Sequence, residues 1–199
     1  MAYGIIFPNL NNNQRKKDMA KKVLVVIDVQ NDFVKGGTLP YGYPKKSNTE
    51  LICDRVRKAV EDGCYVVATR DTHHDNYLDT LEGKKLPVIH CMHETHGWEL
   101  VDRLKSLAAA NKIVVFDKPT FGTPLVAEYV RNLMEGEEIS EIELCGFCTS
   151  ICVLANAVIL RSRFPNKKIT ILKDLCGDID EASHNAALKV LQNQQIEVC

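Results

Sequence analysis

With 199 residues, a formal net charge of −1, and 45% hydrophobic against 26% charged side chains, the chain reads as one globular domain able to bury a two-sided sheet core. A near-neutral balance offers no cationic excess to hold phosphate backbones, and no apolar run approaches the ~20 residues that cross a bilayer, so neither nucleic acid nor a membrane is expected as a partner. Eight cysteines without a secretory apolar run (Ile5–Phe7 is too short) imply reduced thiols and a cytoplasmic protein.

Met19-Ala20-Lys21-Lys22 would serve as an alternative start. Residues 1–20 are therefore expected to be a flexible leader, ahead of a single domain over residues 21–199. Val23–Ile27 is a continuous aliphatic run, the pattern of a strand buried on both faces. Ser47-x-x-Glu50 reads as a capping box opening a helix with Leu51, Ile52, Val56, Ala59 and Val60 on one stripe, which Gly63 ends. Cys64–Thr69 is a second strand. Residues 70–97 form a long connection rich in His and Asp, and Glu99–Ala109 a second helix.

Ile113–Phe116 is the third strand. Thr123-Pro124 pairs an N-cap with proline at the first helical position, predicting a helix to about Met134. Ile142–Gly146 is the fourth strand. Thr149 to about Arg163 is apolar nearly all round and is expected to be a central helix. Ile169–Leu172, a helix over Asp180–Leu191 and a short strand Ile196–Val198 complete the chain. Six strands alternating with helices predict a three-layer, doubly wound α/β fold of the Rossmann-like type, its mostly parallel sheet covered on both faces. Ligands of such sheets bind beyond the C-terminal strand ends.

Three chemically capable residues follow strands. Asp28 follows the first, Lys118 the third, and Cys152 lies in the first helical turn after the fourth. A helix start and a nearby lysine would favour the Cys152 thiolate, while Asp28 could take the thiol proton and return it to a leaving amine. Each has a plainer role open to it: a buried small hydrophobe for the cysteine, a solvated lysine, a turn-forming aspartate. The functional reading rests on their combination.

Three motifs resemble the isochorismatase-like cysteine hydrolases, and within them the nicotinamidases. They are IDVQNDFVKGGTL (Ile27–Leu39), FDKPTFG around Lys118, and CGFCTSICV (Cys145–Val153); His184-x-x-Ala187-Leu188 is a weaker fourth. The resemblance spans about residues 22–192. It implies a catalytic Asp28, Lys118 and Cys152, and amide hydrolysis of nicotinamide to nicotinate and ammonia through a thioester. It also implies a cis Phe147–Cys148 peptide, with the backbone N–H groups of Cys148 and Cys152 forming an oxyanion hole. A small-molecule amide substrate and a homo-oligomer, dimer or larger, follow from the same resemblance.

Asp71 and His73 are two apart in an extended segment and could share one ion. By resemblance His90 completes an Asp-His-His set for a divalent metal, Zn²⁺ or Fe²⁺ suiting the donors. His74, His93 and His96 are rival ligands nearby. Phe33, Thr72 and Phe121 are expected in the substrate pocket, although nicotinamidases usually carry Trp where Thr72 stands. That departure keeps another small carbamoyl or ureido substrate open. Two other classes compete: a redox or zinc role for Cys145-x-x-Cys148, and a catalytically silent binding domain.

Overall fold

The computed structural model describes residues 20–199, so all but the last residue of the expected leader lies outside the described residues. Six strands form one sheet: β1 (Lys21–Ile27), β2 (Tyr65–Asp71), β3 (Val114–Lys118), β4 (Ile139–Phe147), β5 (Lys168–Gly177) and β6 (Glu197–Val198). Their spatial order is β3-β2-β1-β4-β5-β6, and every neighbouring pair is parallel. The expected doubly wound sheet is therefore present, and wholly rather than mostly parallel. Strand order reverses at the β1–β4 boundary, where such sheets open a crevice at their C-terminal edge.

The aliphatic run of β1 sits at the centre, with Val23–Ile27 almost wholly buried. Six helices connect the strands: α1 (Thr49–Glu61), α2 (Leu81–Lys85), α3 (Asp102–Ala109), α4 (Pro124–Leu133), α5 (Leu154–Arg163) and α6 (Glu181–Asn193). α1 packs with α3, while α5 packs with both α4 and α6. Right-handed crossovers on either side of the switch place these two groups on opposite faces.

Several boundaries differ from the sequence expectation for identifiable reasons. The Ser47-x-x-Glu50 box does not form: α1 opens after Asn48, which gives no side-chain cap. The Asn48 amide instead donates to the carbonyls of Asp174 and Cys176, at 3.1 and 3.0 Å. Those carbonyls lie within and at the end of a bulge in β5, whose pairing with β4 slips between Leu144 and Gly146. The helix expected from Glu99 starts at Asp102, because residues 99–101 run beside residues 29–31: Asn31 N–H donates to the Glu99 carbonyl and Val101 N–H to that of Val29. β2 and β3 run past their expected ends to Asp71 and Lys118, which pair directly across the ladder. The expected helix from Thr149 begins instead as a π turn, Thr149–Val153, before α5.

Gly146 is fixed by its neighbours. It has φ +120°, and a Cβ there would run into the Ile27 carbonyl. Only glycine lets β4 approach β1 so closely just before the two strands release their functional residues.

Candidate active site

The C-terminal ends of β1, β2, β3 and β4 bring Asp28, Asp71, Lys118 and Cys152 together. Asp28 leaves β1 with φ +51° and is fully buried. Thr69 in β2 donates its hydroxyl to Asp28 Oδ1 at 2.6 Å and accepts the Asp28 N–H at 3.2 Å, holding the carboxylate in one orientation. Lys118, also fully buried, places Nζ 2.7 Å from Asp28 Oδ2, 3.2 Å from Asp71 Oδ1 and 3.5 Å from Cys152 Sγ. Asp28 Oδ2 is paired ionically, yet no protein donor among the described residues meets it in hydrogen-bond geometry.

Burial drives the charges in this cluster. It pushes the Asp28 carboxyl above the ordinary carboxylate range; Lys118 opposes the rise and Asp71 adds to it. Burial would lower the Lys118 ammonium, but the charges of Asp28 and Asp71 outweigh it and hold the lysine protonated. For Cys152, burial and then the Asp28 charge push the thiol well above its usual value, with Lys118 pulling the other way. This reverses the expectation of an easily ionised cysteine. A helix start and one cation are weaker here than loss of solvent and a neighbouring carboxylate, which favour the protonated thiol.

The Phe147–Cys148 peptide is cis. The Cys148 carbonyl accepts the N–H groups of Ile151 and Val153, at 3.1 and 3.0 Å, which curls the π turn back over the end of β4. Asn156, one turn on, donates to the carbonyls of Cys152 (2.8 Å) and Phe121 (3.1 Å) and accepts the Thr123 N–H at 3.1 Å. It thereby ties the segment after β3 to the cysteine turn.

Beside these residues lies a second cluster. Asp71, His73, Glu82 and His90 place one donor atom each within 4.8 Å of one another. His73 Nε2 is 3.1 Å from Asp71 Oδ2 and 3.7 Å from Glu82 Oε1, and His90 Nε2 is 3.6 Å from Asp71 Oδ2. His90 Nδ1–H donates to the Val88 carbonyl at 2.7 Å, which turns its Nε2 lone pair into the cluster, as a metal-binding imidazole requires. Two carboxylates and two imidazoles fit a divalent ion. Burial raises Asp71, but hydrogen bonds from His73 and His90 and the Lys118 charge prevail and hold it below the carboxylate range. Asp71 thus faces both clusters, Oδ1 toward Lys118 and Oδ2 toward the histidines.

Sequence reasoning missed Glu82, which enters from α2, because nothing in its spacing links it to Asp71 or His90. It also missed residues that hold the ligands in place. Gln30 grips the Asp71 backbone, accepting its N–H at 2.7 Å and donating to its carbonyl at 2.9 Å. Asp32 accepts the Cys91 N–H at 2.7 Å beside His90, with Gly97 packed so tightly on its carboxylate that a Cβ would not fit. The Tyr77 ring wedges against His73 and His90, with centroids 4.4 and 5.3 Å away. Gln30 and Asp32 lie inside the motif at the end of β1, which was the available signal.

The rival histidines stay outside. His74, His93 and His96 are exposed, and the rings of His74 and His93 pair with each other at 5.2 Å. Phe33 lies 5.6 Å from the His90 ring, while Phe121 is 46% exposed. Thr72 turns away from Asp71 and His73: its hydroxyl donates to the Arg70 carbonyl and accepts the Trp98 indole N–H at 2.8 Å. Cys145 is buried within β4, and the eight cysteines are all free.

The isochorismatase domain profile matches residues 22–199. The nicotinamidase/pyrazinamidase of Mycobacterium tuberculosis is 26% identical over 194 residues, covering 89% of this chain and 97% of that protein. The crystal structure of the nicotinamidase/pyrazinamidase PncA from Bacillus subtilis superposes with a TM-score of 0.75 at 28% identity, covering 90% of this chain and 99% of that one. The pyrazinamidase of Pyrococcus horikoshii, solved in complex with zinc, shares the fold with a TM-score of 0.70 at 24% identity, covering 90% of this chain and 98% of that one.

Proposed function

This chain belongs to the isochorismatase domain family, and from that premise we propose that it is a cysteine-dependent amidohydrolase converting nicotinamide and water to nicotinate and ammonia. The observation that carries the reading is a buried Lys118 ammonium 2.7 Å from Asp28 and 3.5 Å from Cys152 Sγ. A binding-only fold has no use for a buried acid, base and thiol in contact.

The raised thiol and the raised carboxyl belong to one mechanism. Cys152 passes its proton to Asp28 as sulfur attacks the amide carbonyl carbon. One negative charge moves from oxygen to sulfur beside Lys118, and no second charge is created in the buried site. The N–H groups of Cys148 and Cys152 receive the carbonyl oxygen as it gains charge. Asp28 then returns the proton to the departing nitrogen, and ammonia leaves a thioester. Water attacks that thioester while Asp28 takes one of its protons; that proton returns to sulfur as nicotinic acid departs, which ionises to nicotinate in solution.

Asp71, His73, Glu82 and His90 would hold a divalent ion, zinc or iron, which when bound offers a Lewis-acid position for a substrate ring nitrogen. Phe33 would wall one side of the substrate slot. We take the enzyme to work in the cytoplasm, in keeping with its free thiols, and to assemble as a homodimer or larger oligomer, as its family resemblance implies.

The Thr72 departure favours testing other small carbamoyl and ureido compounds alongside nicotinamide. An ammonia-release screen over nicotinamide, pyrazinamide and such compounds, with Cys152→Ala as the blank, decides the matter. Release from nicotinamide that vanishes in the variant is expected. Release confined to a different amide transfers the mechanism to that substrate, and no release at all supports a silent binding domain.

A further inference from the structure

One buried polar chain beside the cysteine turn has no part in the proton transfers above. His184, in α6, is 5% exposed, with Nδ1 2.8 Å from Thr149 Oγ1. The Thr149 hydroxyl donates to the Gly177 carbonyl at the end of β5, at 3.1 Å. A hydroxyl has one proton; with Gly177 taking it, His184 must be the donor, through Nδ1–H. The Tyr43 ring covers the imidazole at 5.2 Å.

Thr149 is fully buried and is the first residue of the π turn that ends one residue past Cys152. Its own carbonyl accepts the Leu154 N–H that closes this turn. Holding its side chain therefore fixes the rotation of the turn from which the sulfur projects. A second anchor follows at once: Asp178, fully buried, accepts the Ser150 N–H at 2.7 Å and its hydroxyl at 2.8 Å. Ser150 is tied through a carboxylate to the residue after β5, whereas Thr149 is tied to β5 through Gly177 and to α6 through the imidazole.

We propose that His184 is a positioning residue: by donating to Thr149 it orients the π turn so that Cys152 faces Asp28 and Lys118. The inference rests on Cys152 as the nucleophile, but not on which amide it attacks. A small misplacement of a nucleophile costs rate far more than it costs binding.

The test follows two rates and a melting temperature in His184→Leu, Thr149→Val, the double variant and Thr149→Ser. The rates are kcat for ammonia release and the rate of Cys152 alkylation by iodoacetamide, followed by peptide mass mapping to separate it from the other cysteines. His184→Leu and Thr149→Val should each lower both rates by roughly 10–100-fold with KM changed less than about twofold. The double variant should be no slower than either single, and Thr149→Ser should keep most of the rate. Unchanged rates with only a lower melting temperature would overturn the proposal, and so would losses that multiply in the double variant. If His184→Leu does not fold, His184→Asn, which keeps a donor at the Nδ1 reach, is compared with His184→Gln, which places it further out. Equal rates in these two also reject the idea. Alkylation needs no substrate, so it reads the positioning even if no amide is turned over.

Discussion

Asp28 shows how far one residue depends on its surroundings. Its left-handed backbone, φ +51°, swings the carboxylate out of the sheet line and against Thr69 and Lys118. Aspartate tolerates that conformation better than most residues. Burial raises its carboxyl, so the form that accepts a proton should be lost at a higher pH than for a solvated aspartate. The acid limb of kcat/KM is expected above the ordinary carboxylate range of ~4, since carboxylate is the active form and protonation removes it. Asp28→Asn should lower kcat by roughly 10²–10⁴-fold and abolish that limb in whatever activity is left. An acid limb unmoved in Asp28→Asn would assign the proton transfer to another group. Asp28, Lys118 and Cys152 were legible as single residues after strands. Their protonation was not, because solvent exclusion depends on what the whole fold packs over them.

At the scale of elements, the sequence placed the strand cores well and the helix starts unevenly: the Thr123 and Asp180 caps form as expected, while the starts of α1, α3 and the turn after β4 do not. Strand cores are continuous aliphatic runs, and β1 is buried along that run. Helix starts depend on which partner a polar side chain finds. Ser47-x-x-Glu50 looks like a local cap, but Asn48 spends its amide on two β5 carbonyls more than 120 residues away. Asn48→Ala should therefore destabilise the protein by about 1–3 kcal/mol, as the buried Cys176 carbonyl loses its donor. Urea unfolding measures this, and a loss below ~0.5 kcal/mol, the range of neutral surface changes, would mean that the amide contributes little. The π turn after β4 was equally hidden. Its residues, TSICV, read as ordinary helix, and the widening comes from the anchors supplied by β5 and α6.

The whole molecule decides the metal cluster. Asp71 and His73 come from the end of β2, Glu82 from α2, and His90 from the loop that Asp32 ties down. Protein purified without added metal is expected to carry about one divalent ion per chain, by elemental analysis. Glu82→Gln should weaken retention against a chelator by roughly 10–100-fold. Full occupancy in that variant would remove Glu82 from the set. By itself, the sequence determined the alternating strand–helix order and the cores of the strands, because hydrophobic periodicity and short motifs are local properties. It also identified Cys152, Asp28 and Lys118 as the residues to watch. Only the tertiary structure decided that Glu82 joins the histidines, that Thr72 faces Trp98, and that burial pushes the Cys152 thiol up. Those outcomes depend on distances and solvent exclusion between segments far apart in the chain, which no local pattern records.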